Sequence, residues 1–262
     1  EDNGGAVSVD KKISVVIRKT MFALCSSASE GGSVYMSYAN ASISCVEFIR
    51  SHTRTTVNNI GGNAFSFFDT ELKMSDFVVS ESWTDTNSGD SVHHISGGVY
   101  AIKRYNITDS IEGNYGGAGG DFWTPDSTSL VSFANLANNG GDDCFVTSYN
   151  GQFYSEKLNI VNNTQIYTCF IYGYASRTEF KDCCIFKVTN LPDRGTYTMV
   201  NCLTNYAQDG ATVTETSFHP FTFNRNCPFE MSHLFTKQKQ IKGTNVLKTV
   251  ITLTLPAAIC TP

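Results

Sequence analysis

Residues 165–190 carry the most restrictive pattern in the chain, because apolar and charged side chains alternate along them. The apolar or aromatic residues are Phe170, Tyr172, Tyr174, Phe180, Cys184, Phe186 and Val188, and the charged ones are Arg177, Glu179, Lys181 and Lys187. Strand side chains alternate between two faces, so the pattern predicts a β-hairpin with one buried face. With a turn at Ser176, it places Cys184 inside, Cys183 outside, and Cys169 opposite Cys183.

The composition favours an all-β protein. Only 16% of the 262 residues are charged and 12% are aromatic, while glycine, serine, threonine and asparagine separate short apolar runs. We therefore expect an antiparallel sandwich or closed barrel of about ten to twelve strands, with one or two short helices and stabilising disulfides. The chain has no proline-rich or serine-rich linker, so residues 1–262 are expected to form a single β-rich extracellular domain.

Three further segments complete this outline. Asp126 and the apolar residues after it predict a short helix over 127–137. The turn-rich residues 84–91 and the glycine-rich residues 113–125 are expected to be loops. The alternation in Asn245–Leu255 predicts the last strand.

The cysteines and glycosylation motifs point outside the cell. The chain has nine cysteines, which are Cys25, Cys45, Cys144, Cys169, Cys183, Cys184, Cys202, Cys227 and Cys260. Asn40, Asn106 and Asn162 each begin an Asn-x-Ser/Thr sequon. A chain of this kind is expected to be secreted, glycosylated and disulfide-bonded, and the odd cysteine allows a bond to another chain.

Several partners are disfavoured. The net charge is −5 and no basic cluster occurs, which argues against nucleic-acid binding. No apolar run is long enough to cross a bilayer. The sequence EDNGGAVS is compatible with a mature N-terminus after signal cleavage. No spacing typical of zinc ligands occurs, so neither a metal nor another cofactor is expected.

Asp90, Ser91, His93 and His94 are the weak candidates for catalysis. They supply a carboxylate, a hydroxyl and two imidazoles within five positions. The surrounding sequence lacks a nucleophile-elbow motif, and adjacent histidines on a strand face opposite sides. Asp142 is a further carboxylate that an extracellular enzyme could pair with either histidine.

Aromatic residues are the candidates for ligand binding. They are Trp83, Tyr100, Trp123, Tyr172 and Tyr174. Such rings could line an apolar cavity or form a stacking platform, although aromatic side chains also fill ordinary β cores. The favoured function is non-catalytic binding, either of a small apolar ligand in a barrel or of a glycan or protein through end loops. The alternatives are the extracellular enzyme, a viral surface attachment domain and a structural assembly subunit.

Overall fold

The chain forms a parallel β-solenoid. The computed structural model describes residues 3–53, 62–84, 91–111, 117–123, 129–141, 144–149, 151–161, 163–165, 169–186, 194–200, 202–204 and 258–259. Every strand pairing among these residues is parallel, and each strand pairs mainly with the equivalent strand of the next coil. The all-β prediction is confirmed, but the antiparallel sandwich or closed barrel is wrong.

Each coil adds one strand to each of two long stacks. The first stack contains β1 (Val7–Asp10), β4 (Val34–Ser37), β7 (Gly62–Phe68), β10 (Ser91–Ser96), β12 (Gly117–Trp123), β15 (Cys144–Tyr149) and the start of β18 (Cys169–Lys181). The second stack contains β2 (Ser14–Ala23), β5 (Asn40–Ile49), β8 (Glu71–Ser80), β11 (Tyr100–Thr108), β13 (Leu130–Ala137), β16 (Gln152–Val161), the end of β18, β19 (Cys184–Phe186), β20 (Arg194–Val200) and β21 (Leu203–Thr204).

Shorter strands close the coils. One set contains β3 (Ser26–Ser27), β6 (His52–Thr53) and β9 (Trp83–Thr84), and another contains β14 (Gly140–Gly141) and β17 (Thr164–Gln165). The remaining strand, β22 (Ala258–Ile259), pairs with the end of β2. The predicted strand Asn245–Leu255 lies outside the described residues.

The interior is filled by ladders of side chains that repeat from coil to coil. Phe22 stacks on Phe48 with 5.3 Å between ring centroids, and Phe77 stacks on Tyr105 at 4.8 Å. These four residues are buried, as is Phe65, which packs against Phe48 from the first stack. Parallel neighbours bring similar side chains into contact along the axis, so the space between the stacks is a packed core.

A left-handed residue bends the second stack at the same position in each coil from β2 to the junction between β18 and β19. These residues have positive φ angles and are Lys19, Cys45, Asp76, Arg104, Phe133, Lys157 and Asp182. The left-handed residue itself is not paired with the next coil. Between β2 and β5, for example, Lys19 and Cys45 interrupt an otherwise continuous pairing. Inward-facing side chains are therefore separated by three positions across the bend, as Met74 and Phe77 are, instead of by two.

This bend explains why the helix prediction over 127–137 is wrong. Residues 130–137 form β13, and its inward side chains are Val131, Ala134 and Leu136. The left-handed Phe133 produces the spacing of three between Val131 and Ala134, which resembles a helical stripe. No helix occurs among the described residues.

The prediction of a hairpin over residues 165–190 is also wrong. Cys169–Lys181 is one continuous strand, β18, so no turn occurs at Ser176. Its first half pairs with β15 and its second half with β16, and both neighbours belong to the preceding coil. Cys183 follows the strand and is fully buried, whereas the alternation predicts an outward side chain. The predicted glycine-rich loop likewise contains a strand, β12.

One turn of the coil is held by a ladder of hydrogen-bonding side chains. Asn139 Oδ1 accepts from the backbone N–H of Ser110 at 3.1 Å, and Asn163 Oδ1 accepts from the N–H of Asn139 at 2.9 Å. The Asn139 amide also donates to the carbonyl of Ile107, and the Asn163 amide to that of Leu136. Backbone groups that the turn would leave unpaired in the interior are thus satisfied by the neighbouring coil.

Candidate ligand-binding surface

His93 is a core side chain. It lies on β10, is 1% exposed, and stacks on Phe65 at 5.0 Å with Phe122 edge-on at 5.3 Å. Burial, with a smaller contribution from His94, lowers the pKa of His93 to about 3. Its Nδ1 has no hydrogen-bond partner in the described part of the chain. A neutral imidazole enclosed by phenylalanines is poorly placed to meet a substrate.

His94 points to the opposite side of the same strand and joins a surface group that we call the outer aromatic row. The row consists of Tyr35, Phe68, His94 and Trp123. Successive ring centroids are 5.6 Å, 5.1 Å and 5.8 Å apart. One member comes from each of β4, β7, β10 and β12, so the row runs along the solenoid axis.

The register of the first stack creates this row. Tyr35 is paired in register with Ser66, which is paired with His94, and these three residues form one level of the stack. Ser37, Phe68 and Ser96 are paired in the same way and form the adjacent level. The rings therefore alternate between two neighbouring levels and form a zigzag. Tyr35, Phe68 and Trp123 are half-buried and His94 is 2% exposed. Three rings thus reach solvent, and the imidazole lies between two of them.

Polar groups border the Tyr35 end of the row. The Tyr35 hydroxyl is hydrogen-bonded to Ser37 and Asn3. Burial raises the pKa of Tyr35, and the negative charges of Glu30 and Asp10 add to this effect. An apolar strip with hydrogen-bonding groups at one end suits a ligand that carries both C–H faces and hydroxyls.

The five aromatic residues predicted from sequence do not form one site. Tyr100 is 1% exposed and belongs to the core. Trp83 lies on β9 and stacks flat on His52, with 4.8 Å between centroids and 4° between planes. Among the three of them whose side chains are described, only Trp123 belongs to the outer aromatic row. The backbones of Tyr172 and Tyr174 lie in β18, but their side chains are outside the described part.

The other predicted catalytic side chains lie outside the described part of the chain. Ser91 begins β10, but its side chain is not among those described. Asp90 and Asp142 lie outside the described residues. In the regions that the structure describes, no group of three or more histidine, cysteine, aspartate or glutamate residues is arranged to hold a metal ion.

Two of the three sequons fall on the solenoid surface. Asn40 begins β5, is exposed, and donates from Nδ2 to Glu71 Oε2 at 3.0 Å. Asn106 is half-buried on β11. Asn162 lies outside the described residues. The structure therefore leaves Asn40 more accessible than Asn106 for attachment of a glycan.

The cysteines occupy different environments. Cys183 and Cys202 are buried, free thiols, so the disulfides predicted at these two cysteines are not formed. Cys25 is buried after β2 and Cys45 is the half-buried left-handed residue of β5. The side chains of Cys144, Cys169 and Cys184 are not described, and Cys227 and Cys260 lie outside the described residues.

Glu47 is a titratable group that the sequence reasoning missed. Burial raises its pKa to about 7, and its Oε2 is enclosed with no hydrogen-bond partner among the described residues. Across the pairing register it lies between Met21 and Val78, which are apolar. The signal for this site is a glutamate paired with apolar residues on both neighbouring strands. It can be recognised only once the parallel register of the coils is known.

The comparisons with known proteins leave the chain without an assigned family. No protein-family model matches it, and no curated protein matches it either. Among the described residues, the chain has no helix that is long and apolar enough to span a membrane.

Proposed function

We propose that this protein is a secreted glycoprotein that binds extended glycans without catalysis, through the outer aromatic row. The observation that carries the proposal is a contiguous series of four rings on successive strands of the first stack, three of which reach solvent. Aromatic faces and edges pack favourably on apolar C–H surfaces, and a tyrosine hydroxyl adds a polar contact. A linear ligand lying along the axis would meet the exposed parts of Tyr35, Phe68 and Trp123, while the buried His94 imidazole packs between Phe68 and Trp123.

The solenoid fold argues against binding of a ligand inside the protein. A barrel could hold a small apolar ligand inside, but the space between the stacks is occupied by buried side chains such as Phe65, Phe77 and Tyr105. The proposal therefore places binding on the outer surface and not in an internal cavity. Surface attachment to glycans would use the same row, so the attachment-domain alternative is contained in the proposal.

The enzyme alternative has less support. His93 is enclosed by Phe65 and Phe122, and burial keeps it neutral. That alternative then depends on His94 alone, with carboxylates that lie outside the described residues. The assembly alternative stays a prediction. Gel electrophoresis with and without reductant tests it, since an interchain bond would shift the monomer band.

Glycan binding is tested with the full chain on an array of linear and branched glycans, followed by calorimetry on any ligand found. Trp123→Ala and Phe68→Ala should each weaken binding by about 2–10-fold, the range expected for loss of one aromatic contact. Tyr154→Ala is the matched control, because Tyr154 is also half-buried but lies on β16 in the second stack. Absence of any glycan ligand, or equal effects of all three substitutions, would overturn the proposal.

A further inference from the structure

Cys183 and Cys202 occupy equivalent positions on neighbouring coils. Lys181 is paired with Val200 before them, and Cys184 is paired with Leu203 after them. The register therefore places Cys183 level with Cys202. Adjacent strands of a sheet are about 4.8 Å apart, which is inside the Cα separation that a disulfide requires.

The two thiols also contact each other. They share a side-chain hydrogen bond, and each is further bonded to the backbone. The Sγ of Cys183 lies 3.3 Å from the carbonyl oxygen of Lys181, and this sulfur accepts a hydrogen bond from the N–H of Leu158 at 3.5 Å. The Sγ of Cys202 lies 3.4 Å from the carbonyls of Phe180 and Val200. Neither side chain is exposed, so this is a preformed, enclosed dithiol.

We propose that Cys183 and Cys202 form an oxidisable dithiol that closes to a disulfide and locks the coil of β20 and β21 onto the preceding coil. The proposal is independent of glycan binding. Among the described residues, β20 pairs with β18 and with no strand on its other edge. A single coil of a solenoid can open while the rest stays folded. Its opening would admit an oxidant to the thiols.

The chemistry balances with a small disulfide such as oxidised glutathione as the oxidant. The hydrogen bond from Cys183 lowers the pKa of Cys202, whereas burial raises the pKa of Cys183. Cys202 is therefore the attacking thiolate: it forms a mixed disulfide and expels one glutathione thiolate. The Cys183 thiolate then attacks Cys202 Sγ and expels the second. Both cysteines are oxidised, and their two protons end on the two glutathione thiols.

Peptide mapping of the full chain tests bond formation. After incubation with oxidised glutathione, alkylation and tryptic digestion without reductant, residues 182–187 should be linked to residues 195–225. Cys184→Ala is the matched control, because it removes the adjacent cysteine of the same peptide and should keep the link. Cys183→Ala and Cys202→Ala should each abolish it. A wild-type digest without the link, or a link that survives in Cys183→Ala, would overturn the proposal.

Hydrogen exchange tests the locking effect. Oxidation should slow exchange of the backbone amides of residues 194–200 by about tenfold or more, because the bond removes the open states of that coil. The same treatment should leave these amides unchanged in Cys183→Ala. Equal exchange before and after oxidation of a wild-type sample that carries the link would show that the bond does not lock the coil.

Discussion

The rings of Phe77 and Tyr105 lie parallel, with 4.8 Å between centroids and 1° between planes, although the two residues belong to different coils. Both are buried and they are paired in register between β8 and β11. This contact is one example of the packing that stabilises the solenoid, in which side chains at equivalent positions of neighbouring coils pack on one another.

Phe77→Ala should lower the free energy of unfolding by about 3–5 kcal/mol, because it leaves a cavity between two coils and removes the stacked partner of Tyr105. Urea unfolding monitored by circular dichroism measures this change. Leu130→Ala serves as the control, since Leu130 is 37% exposed and should cost less than about 1 kcal/mol. Equal losses for the two substitutions would contradict the packing described for Phe77.

His93 should make the protein less stable in acid. Its pKa is about 3 in the folded protein and 6.5 in an unstructured chain, so the unfolded state binds more protons between these values. Its contribution is complete above pH 6.5 and decreases by about 1.4 kcal/mol per pH unit towards pH 3. His93→Phe should flatten this slope in urea titrations at several pH values. An unchanged slope would mean that His93 is accessible to protons in the folded state.

Glu47 should make the protein less stable at high pH, which is the opposite of the effect of His93. Its pKa is raised from 4.5 to about 7, so the folded protein holds the proton more tightly and stability falls as the pH rises between these values. Glu47→Gln should therefore stabilise the protein at pH 8 by about 1–3 kcal/mol and change little at pH 4. Glu71→Gln is a suitable control, because Glu71 is exposed. A greater gain at pH 4 than at pH 8 would refute the assignment.

Asn139→Leu should be strongly destabilising, by about 2–4 kcal/mol, because the substitution leaves the Ser110 N–H and the Ile107 carbonyl unpaired in the interior. Thermal unfolding reports the loss. The control is Asn135→Ala, whose side chain is half-buried and bonded to Asn159 on the outside of the second stack. Similar melting temperatures for both variants would show that the buried ladder adds little.

The sequence supports the β class but not the direction of strand pairing. Alternation along Leu72, Met74 and the residues around them specifies a strand with one buried face, and parallel and antiparallel partners both satisfy it. The coils also differ in length: Thr20 is paired with Val46, and Val46 with Phe77. Irregular lengths hide the repeat from any search at a fixed period.

The left-handed residues account for the specific errors. Only glycine adopts positive φ without cost, yet Phe133 and Asp182 do so here. Nothing in the local sequence marks such a position, and the change of phase after it makes β13 resemble a helix. In β18 the alternation correctly predicts strand structure, but the turn predicted at Ser176 is wrong, because a single long strand pairs with two different neighbours.

The candidate site depends on long-range register even more than the fold does. Trp123 is predicted from sequence, but Tyr35 and Phe68 are distant from it along the chain and join the same row only when the coils are stacked. The same alignment brings Cys183 level with Cys202. Single-sequence reasoning identifies residue types, whereas the coil-to-coil pairing determines which of them meet.

Parallel pairing between successive coils also has a mechanical consequence. The interstrand hydrogen bonds run along the solenoid axis, so tension applied along that axis loads the coils in series. Every coil then carries the full force, and the force at which the fold yields is set by its weakest coil and not by the average. A load across the axis would instead be shared by many coils in parallel, which makes the molecule stiffer in that direction.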